Sequence, residues 1–150
     1  MTTTPYPVEV LDQDIDNGTM PEALAAVAAL VVGRRIVSAE LGEATYKHPR
    51  YQCEDSGHGL ILTLDDGTRA ILADTGDCCA YTEVKSFILN PAAVDHIITG
   101  VGTTDGYDTW HIFADFGDVL TMQVDWSCGN PFYYAYGFDI AVLPAPEVES

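Results

Sequence analysis

Apolar residues recur at two different periods along this chain, and the change of period marks its elements. Between Met20 and Gly33, Leu24, Val27, Leu30 and Val31 fall on one side at helical spacing. Pro21 near the start, Glu22 in the first turn and Gly33 as a stop complete the pattern of a helix. After Gly33 the period drops to two, and Arg35–Leu41 reads as a strand. Residues 42–58 are polar, contain Pro49 and Gly57, and read as the longest loop. Leu60–Leu64 and Thr68–Leu72 flank Asp65-Asp66-Gly67, a hairpin whose glycine supplies the positive φ of a tight turn.

Asp77 is placed to cap a second helix over Cys78–Leu89, because Ala80, Val84, Phe87 and Ile88 share a helical face and Asn90-Pro91 ends it. Four strands follow, over His96–Val101, Thr109–Ala114, Val119–Trp126 and Phe132–Leu143, with turns at residues 104–106, 116–118 and 128–131. In the last of them Phe132, Tyr134, Tyr136, Phe138, Ile140 and Val142 point one way, as the inner face of a sheet does. Val8–Leu11 fits a short edge strand. The expected architecture is α+β: a mostly antiparallel, twisted sheet of six or seven strands with two helices packed on one face. With neither a repeat nor a dividing linker, residues 1–150 read as a single domain with irregular ends over 1–20 and 144–150.

Charge changes the picture more than composition does. The chain carries 23 acidic and 6 basic side chains in 150 residues, a formal charge of -17, yet 47% of it is hydrophobic, too much for a disordered chain. All the bases lie between Arg34 and Lys85, so residues 86–150 hold acids and no lysine or arginine. That sign excludes direct binding of a phosphate backbone. It suits a solvated acidic surface, or one that docks on a basic protein, with Asp105, Asp108, Asp115, Asp118 and Asp125 as the binding candidates. The start of the chain lacks the pattern of a secretory signal, and its longest apolar run, Ala23–Val32, is half a membrane span. The expectation is a soluble protein of a cytoplasm, or of a particle assembled there, with reduced thiols.

The strongest chemical feature is the vicinal pair Cys78-Cys79. Its alternatives are packing at a helix–sheet junction, a reactive thiol, or a zinc site completed by Cys128 and either Cys53 or His58. The double Cys-x-x-Cys spacing of strong zinc motifs is absent. Asp12-Gln13-Asp14-Ile15-Asp16-Asn17-Gly18 has oxygens at the first positions of a calcium loop, but Gly18 falls one residue late and Ala23 stands where a bidentate glutamate belongs. Gly100–Gly106 is glycine-rich but has no phosphate-binding spacing or lysine, and reads as a hairpin corner. Cys78 or Cys79 with His111 or His58 and an aspartate could compose a nucleophile–base set, as any such chain could. His96 and His111 read as packed, hydrogen-bonded strand residues.

Three stretches, Asp77–Glu83, Gly102–Ile112 and Trp126–Tyr134, with Leu60–Thr68 beside them, resemble an uncharacterised family of small proteins found in actinobacterial phages and some bacteria. The resemblance implies a phage- or prophage-encoded protein of the host cytoplasm and brings no activity with it. The expected function is a non-enzymatic acidic accessory protein that binds a basic host or phage protein. The alternatives are a zinc-binding domain and a minor virion component. No other cofactor, nucleic acid or membrane is expected as a partner, and a homo-oligomer is compatible with the sequence.

Overall fold

The computed structural model describes residues 6–12, 15–16, 18–48, 53–76, 79–129 and 136–143. Among them are one helix, α1 (Thr19–Val31), and nine strands: β1 (Ile36–Lys47), β2 (Glu54–Leu64), β3 (Arg69–Ala73), β4 (Thr75–Gly76), β5 (Tyr81–Leu89), β6 (Gly100–Thr104), β7 (Thr109–Ala114), β8 (Gly117–Ser127) and β9 (Asp139–Val142). They form two antiparallel sheets, a four-stranded one of order β1-β2-β3-β9 and a five-stranded one of order β4-β5-β8-β7-β6. The fold is therefore mostly β. It is not the single six- or seven-stranded α+β sheet with two helices that the periodicity suggested.

The reason lies in β5. Its alternation is interrupted by a bulge between Val84 and Ser86, so Thr82 and Val84 face inward before it, and Phe87 and Leu89 after it. One extra residue turns a period of two into the spacing Ala80, Val84, Phe87, which imitates a helical face. The β-branched and aromatic content of Tyr81–Leu89 is that of a strand, and Ile88, assigned to the helical face, is 73% exposed. The Asp77 cap and Cys78 lie outside the described residues.

Residues 42–58 also differ from expectation. Strand β1 runs on to Lys47 and β2 begins at Glu54, pairing Glu43 with His58 and Lys47 with Glu54. This arm reads as a loop because much of it is exposed on both faces. Tyr46 is buried in it and packs with Ile61, Ile71 and Ala73 in a small second core. The strand expected over His96–Val101 starts only at Gly100, as β6, after a turn over 91–95 and a stretch over 97–99 that belongs to no strand. In the last expected strand only β9 is formed among the described residues; Tyr136 and Phe138 are buried, Val142 is exposed, and Phe132 and Tyr134 lie outside those described.

The expected first helix, the hairpin at Asp65-Asp66-Gly67 and the strand Thr109–Ala114 are present. Met20, Ala23, Val27 and Val31 of α1 enter the main core with Leu60, Leu62 and Leu72 from one sheet and Trp110, Ile112, Leu120 and Met122 from the other. Trp110 is fully buried, and its indole N–H is satisfied by the Tyr107 carbonyl at 2.9 Å. Asp16 starts the helix: its buried carboxylate accepts from the amides of Gly18 and Met20 and from the Tyr136 hydroxyl at 3.0 Å. Residues 7–12 run as a strap without strand pairing, not as the edge strand expected over Val8–Leu11.

Candidate functional site

The five-stranded sheet turns Trp110, Ile112, Leu120, Met122 and Val124 into the core, so the alternate residues form its outer face. The register arranges that face in rows. Glu83 stands opposite Asp125. Ser86, Gln123, Thr109 and Thr104 form the next row, and Ile88, Thr121, His111 and Gly102 the one after. One end of the face is thus acidic, its middle is hydroxyl- and amide-lined, and an imidazole lies beyond.

The acidic end is built on an unusual turn. Asp105, Gly106 and Tyr107 all adopt left-handed backbone, with φ of 59°, 68° and 67°. A buried tyrosine there is strained, and such strain persists only where surrounding contacts over-determine it. The contacts come from the strap. The Glu9 carboxylate accepts from the Gly106 amide (2.9 Å), the Tyr107 amide (2.8 Å) and the Thr103 hydroxyl (2.7 Å), while the Tyr107 hydroxyl reaches the Glu9 carbonyl. Burial pushes the Glu9 carboxyl up, but these donors and the nearby His111 outweigh it and hold the group below its ordinary value.

The turn presents Asp105 and Asp108 beside Asp125. Burial first, and then the charges of Asp125, Asp105 and Glu9, raise the Asp108 carboxyl above its ordinary value despite a hydrogen bond from Trp126. Asp125 accepts from the Tyr81 hydroxyl at 3.2 Å. Among the described residues no lysine or arginine lies within ion-pair distance of Glu83, Asp105, Asp108 or Asp125; Arg34 and Arg35 pair instead with Asp66 and Asp65. Three of the five aspartates singled out in the sequence therefore come together, whereas Asp115 lies in the β7–β8 turn and Asp118 at the start of β8, at the other end of these strands. Asp115 faces His96 at 3.3 Å.

Asp118 is the centre of a separate network. Its carboxylate accepts from the Tyr6 hydroxyl (2.6 Å), from His111 Nδ1 (2.7 Å) and from the Thr121 hydroxyl (2.8 Å). Burial opposes ionisation, and these donors overcome it, so the carboxyl sits below its ordinary value. On the far side of the ring, His111 Nε2 lies 2.8 Å from the Thr104 hydroxyl. Tyr6 stacks on the imidazole, and a Cβ at Gly102 would come within 2.7 Å of the Tyr6 Cβ. Beside this contact a cavity of about 340 Å³ opens between strap, helix and β6, walled by Pro7, Leu24, Ala28, Val32 and Phe113.

Glu9 and Thr104 carry no local sequence signal, because their partners are distant in the chain or across strands. The proposed zinc ligands are dispersed in character. Cys53 is exposed, and its carbonyl accepts from the His48 amide at 2.8 Å; His58 faces Asp74 at 3.3 Å. Cys79 is exposed and Cys128 is buried, although Gly129 packs against the Cys79 carbonyl. Among the described residues no three His, Cys, Asp or Glu side chains are set to hold a metal ion, and no helix there is long and apolar enough to cross a membrane.

A comparison with protein families matches residues 29–140 to a domain of unknown function, DUF7448. Comparison with curated proteins and with solved structures gives no match.

Proposed function

The chain belongs to the DUF7448 family, a membership that carries no activity, and we propose from its own residues that it is a binding protein for a basic protein partner. One observation carries the reading: the left-handed turn of Asp105–Tyr107, clamped by Glu9, holds Asp105 and Asp108 beside Asp125 without a described basic counter-ion. Like charges directly opposite on neighbouring strands, as Glu83 and Asp125 are, cost stability. A cationic side chain from outside would relieve that cost. Tyr81, 37% exposed and hydrogen-bonded to Asp125, adds an aromatic surface on which a guanidinium can stack. Long-range attraction from a chain of charge -17 would speed the encounter. The partner fits a basic protein of a phage or of its host, in keeping with the resemblance noted in the sequence.

The test is binding of a labelled oligo-arginine peptide followed by fluorescence anisotropy. Affinity is expected to fall steeply between about 50 mM and about 500 mM salt, as screening shortens the reach of surface charge. The triple variant D105N/D108N/D125N should lose most of it, and D65N/D66N, which removes acids elsewhere, should not. Equal binding by the two variants, or indifference to salt, would overturn the reading.

A further inference from the structure

The outer face carries a second chemistry that the binding reading does not use. We propose that Thr104, His111 and Asp118 form a hydroxyl–imidazole–carboxylate relay that makes Thr104 an acylatable nucleophile toward esters bearing a cationic group.

The geometry assigns each role. Asp118 accepts from His111 Nδ1 at 2.7 Å, which places the ring proton on that nitrogen and leaves Nε2 as the acceptor. The Thr104 hydroxyl, 2.8 Å from Nε2, therefore donates its proton to the imidazole. A nucleophile whose proton is already committed to a base, with the base held by a carboxylate, is the arrangement that activates hydroxyls for acyl transfer on unrelated folds. The carboxylate is itself fixed by the Tyr6 and Thr121 hydroxyls, and the ring by its stack on Tyr6. These supports lock the orientation that a relay needs. All three residues come from adjacent strands of one rigid sheet, not from loops.

The neighbouring charges set the substrate class. Asp105 follows Thr104 directly, and its carboxylate accepts from the hydroxyl of Thr109, the residue opposite Thr104. Asp108 lies beside β8, its carbonyl accepting from the Val124 amide at 2.7 Å, and burial, then the charges of Asp125 and Asp105, raise its carboxyl. A trimethylammonium or guanidinium group would rest among them. In the reaction the Thr104 oxygen bonds to the acyl carbon as the ester C–O bond, or the C–S bond of a thioester, breaks. The threonine proton passes through His111 to the departing alcohol or thiol. Water then attacks the acyl-threonine, giving its proton to His111, and the carboxylic acid leaves as the threonine hydroxyl is restored.

The experiment exposes the full-length protein to acetylthiocholine and, separately, to p-nitrophenyl acetate, and locates acetyl groups by mass spectrometry of peptides. The expected result is acetylation at Thr104, faster with the cationic ester once each is scaled to its spontaneous hydrolysis. Thr104→Val should abolish it, and Thr104→Ser should retain or raise it. His111→Gln should slow it by about 100-fold or more, the scale of a lost general base. Circular dichroism confirms that each variant is folded. Because Thr104→Val keeps shape and loses only the hydroxyl, its behaviour stays interpretable if His111→Gln unfolds. Absence of acetyl-Thr104, or equal reaction of wild type and Thr104→Val, would overturn the relay. Equal scaled rates with the two esters would overturn the substrate class.

Discussion

The Tyr6 ring lies on the His111 imidazole with centroids 4.0 Å apart and planes inclined by 13°, while its hydroxyl donates to the Asp118 carboxylate that also accepts from His111. One strap residue thus makes a stacking contact and a charge-assisted hydrogen bond to a single network. Tyr6→Phe keeps the stack and should cost about 1–2 kcal/mol in urea unfolding, and Tyr6→Ala about 1 kcal/mol more. Burial, and then Asp118, push the Tyr6 phenol up to about 12. The ultraviolet difference titration between wild type and Tyr6→Phe should show its step there.

Acid should loosen the same strap. Glu9 and Asp118 both have folded-state values below their ordinary 4.5 and 3.8. A depressed carboxyl contributes stability that is present above its unfolded value and lost as pH falls through the folded one. Unfolding free energy should therefore drop as pH goes from about 5 to about 3, and Glu9→Gln should show less of that drop. Urea midpoints across this range check both statements.

Asp108 has the opposite sign. Its carboxyl is raised above 3.8 in the folded chain, so ionisation there opposes folding once pH exceeds that value. Asp108→Asn should raise the melting temperature at neutral pH, by about 1–2 °C, with the gain shrinking in high salt and vanishing below the unfolded carboxyl range. If the substitution also weakens binding of a cationic peptide, this aspartate is retained at a cost to the fold.

Two glycines should behave differently. A Cβ at Gly59 would overlap the backbone carbonyl of Leu72 on the paired strand, which cannot yield without breaking the ladder. Gly59→Ala should cost about 3 kcal/mol or more. At Gly102 the clash is with Tyr6, so Gly102→Ala should chiefly free the strap. Hydrogen exchange should then speed up at the Tyr107 amide that Glu9 holds, while the Ile112 amide in the core strand stays protected.

What could be read from the sequence was local. The helix over Thr19–Val31 and the Asp65-Asp66-Gly67 hairpin depend on neighbours within a few residues, and both patterns were visible. Strand β5 imitates a helix in sequence because the bulge after Val84 gives its buried residues a helical spacing. The β1–β2 arm has the sequence pattern of a loop because a polar hairpin extending from a core has little inward stripe. Glu9 was invisible for another reason: its partners Thr103, Gly106 and Tyr107 lie 94 to 98 residues further on. Thr104 lies in a glycine-rich run, and its hydroxyl gains a partner only when β6 pairs with β7 and brings His111 beside it.

Strand β9 is laid against β3, more than sixty residues earlier in the chain, and Tyr136 reaches back to Asp16 at the start of the helix. Until residues 139–142 are made and released, Ala70–Ala73 is paired with β2 on one side only, and its other edge remains an open template for stray strands. Completion of this sheet must wait for β9, and a product clipped before it should be sticky rather than merely shorter.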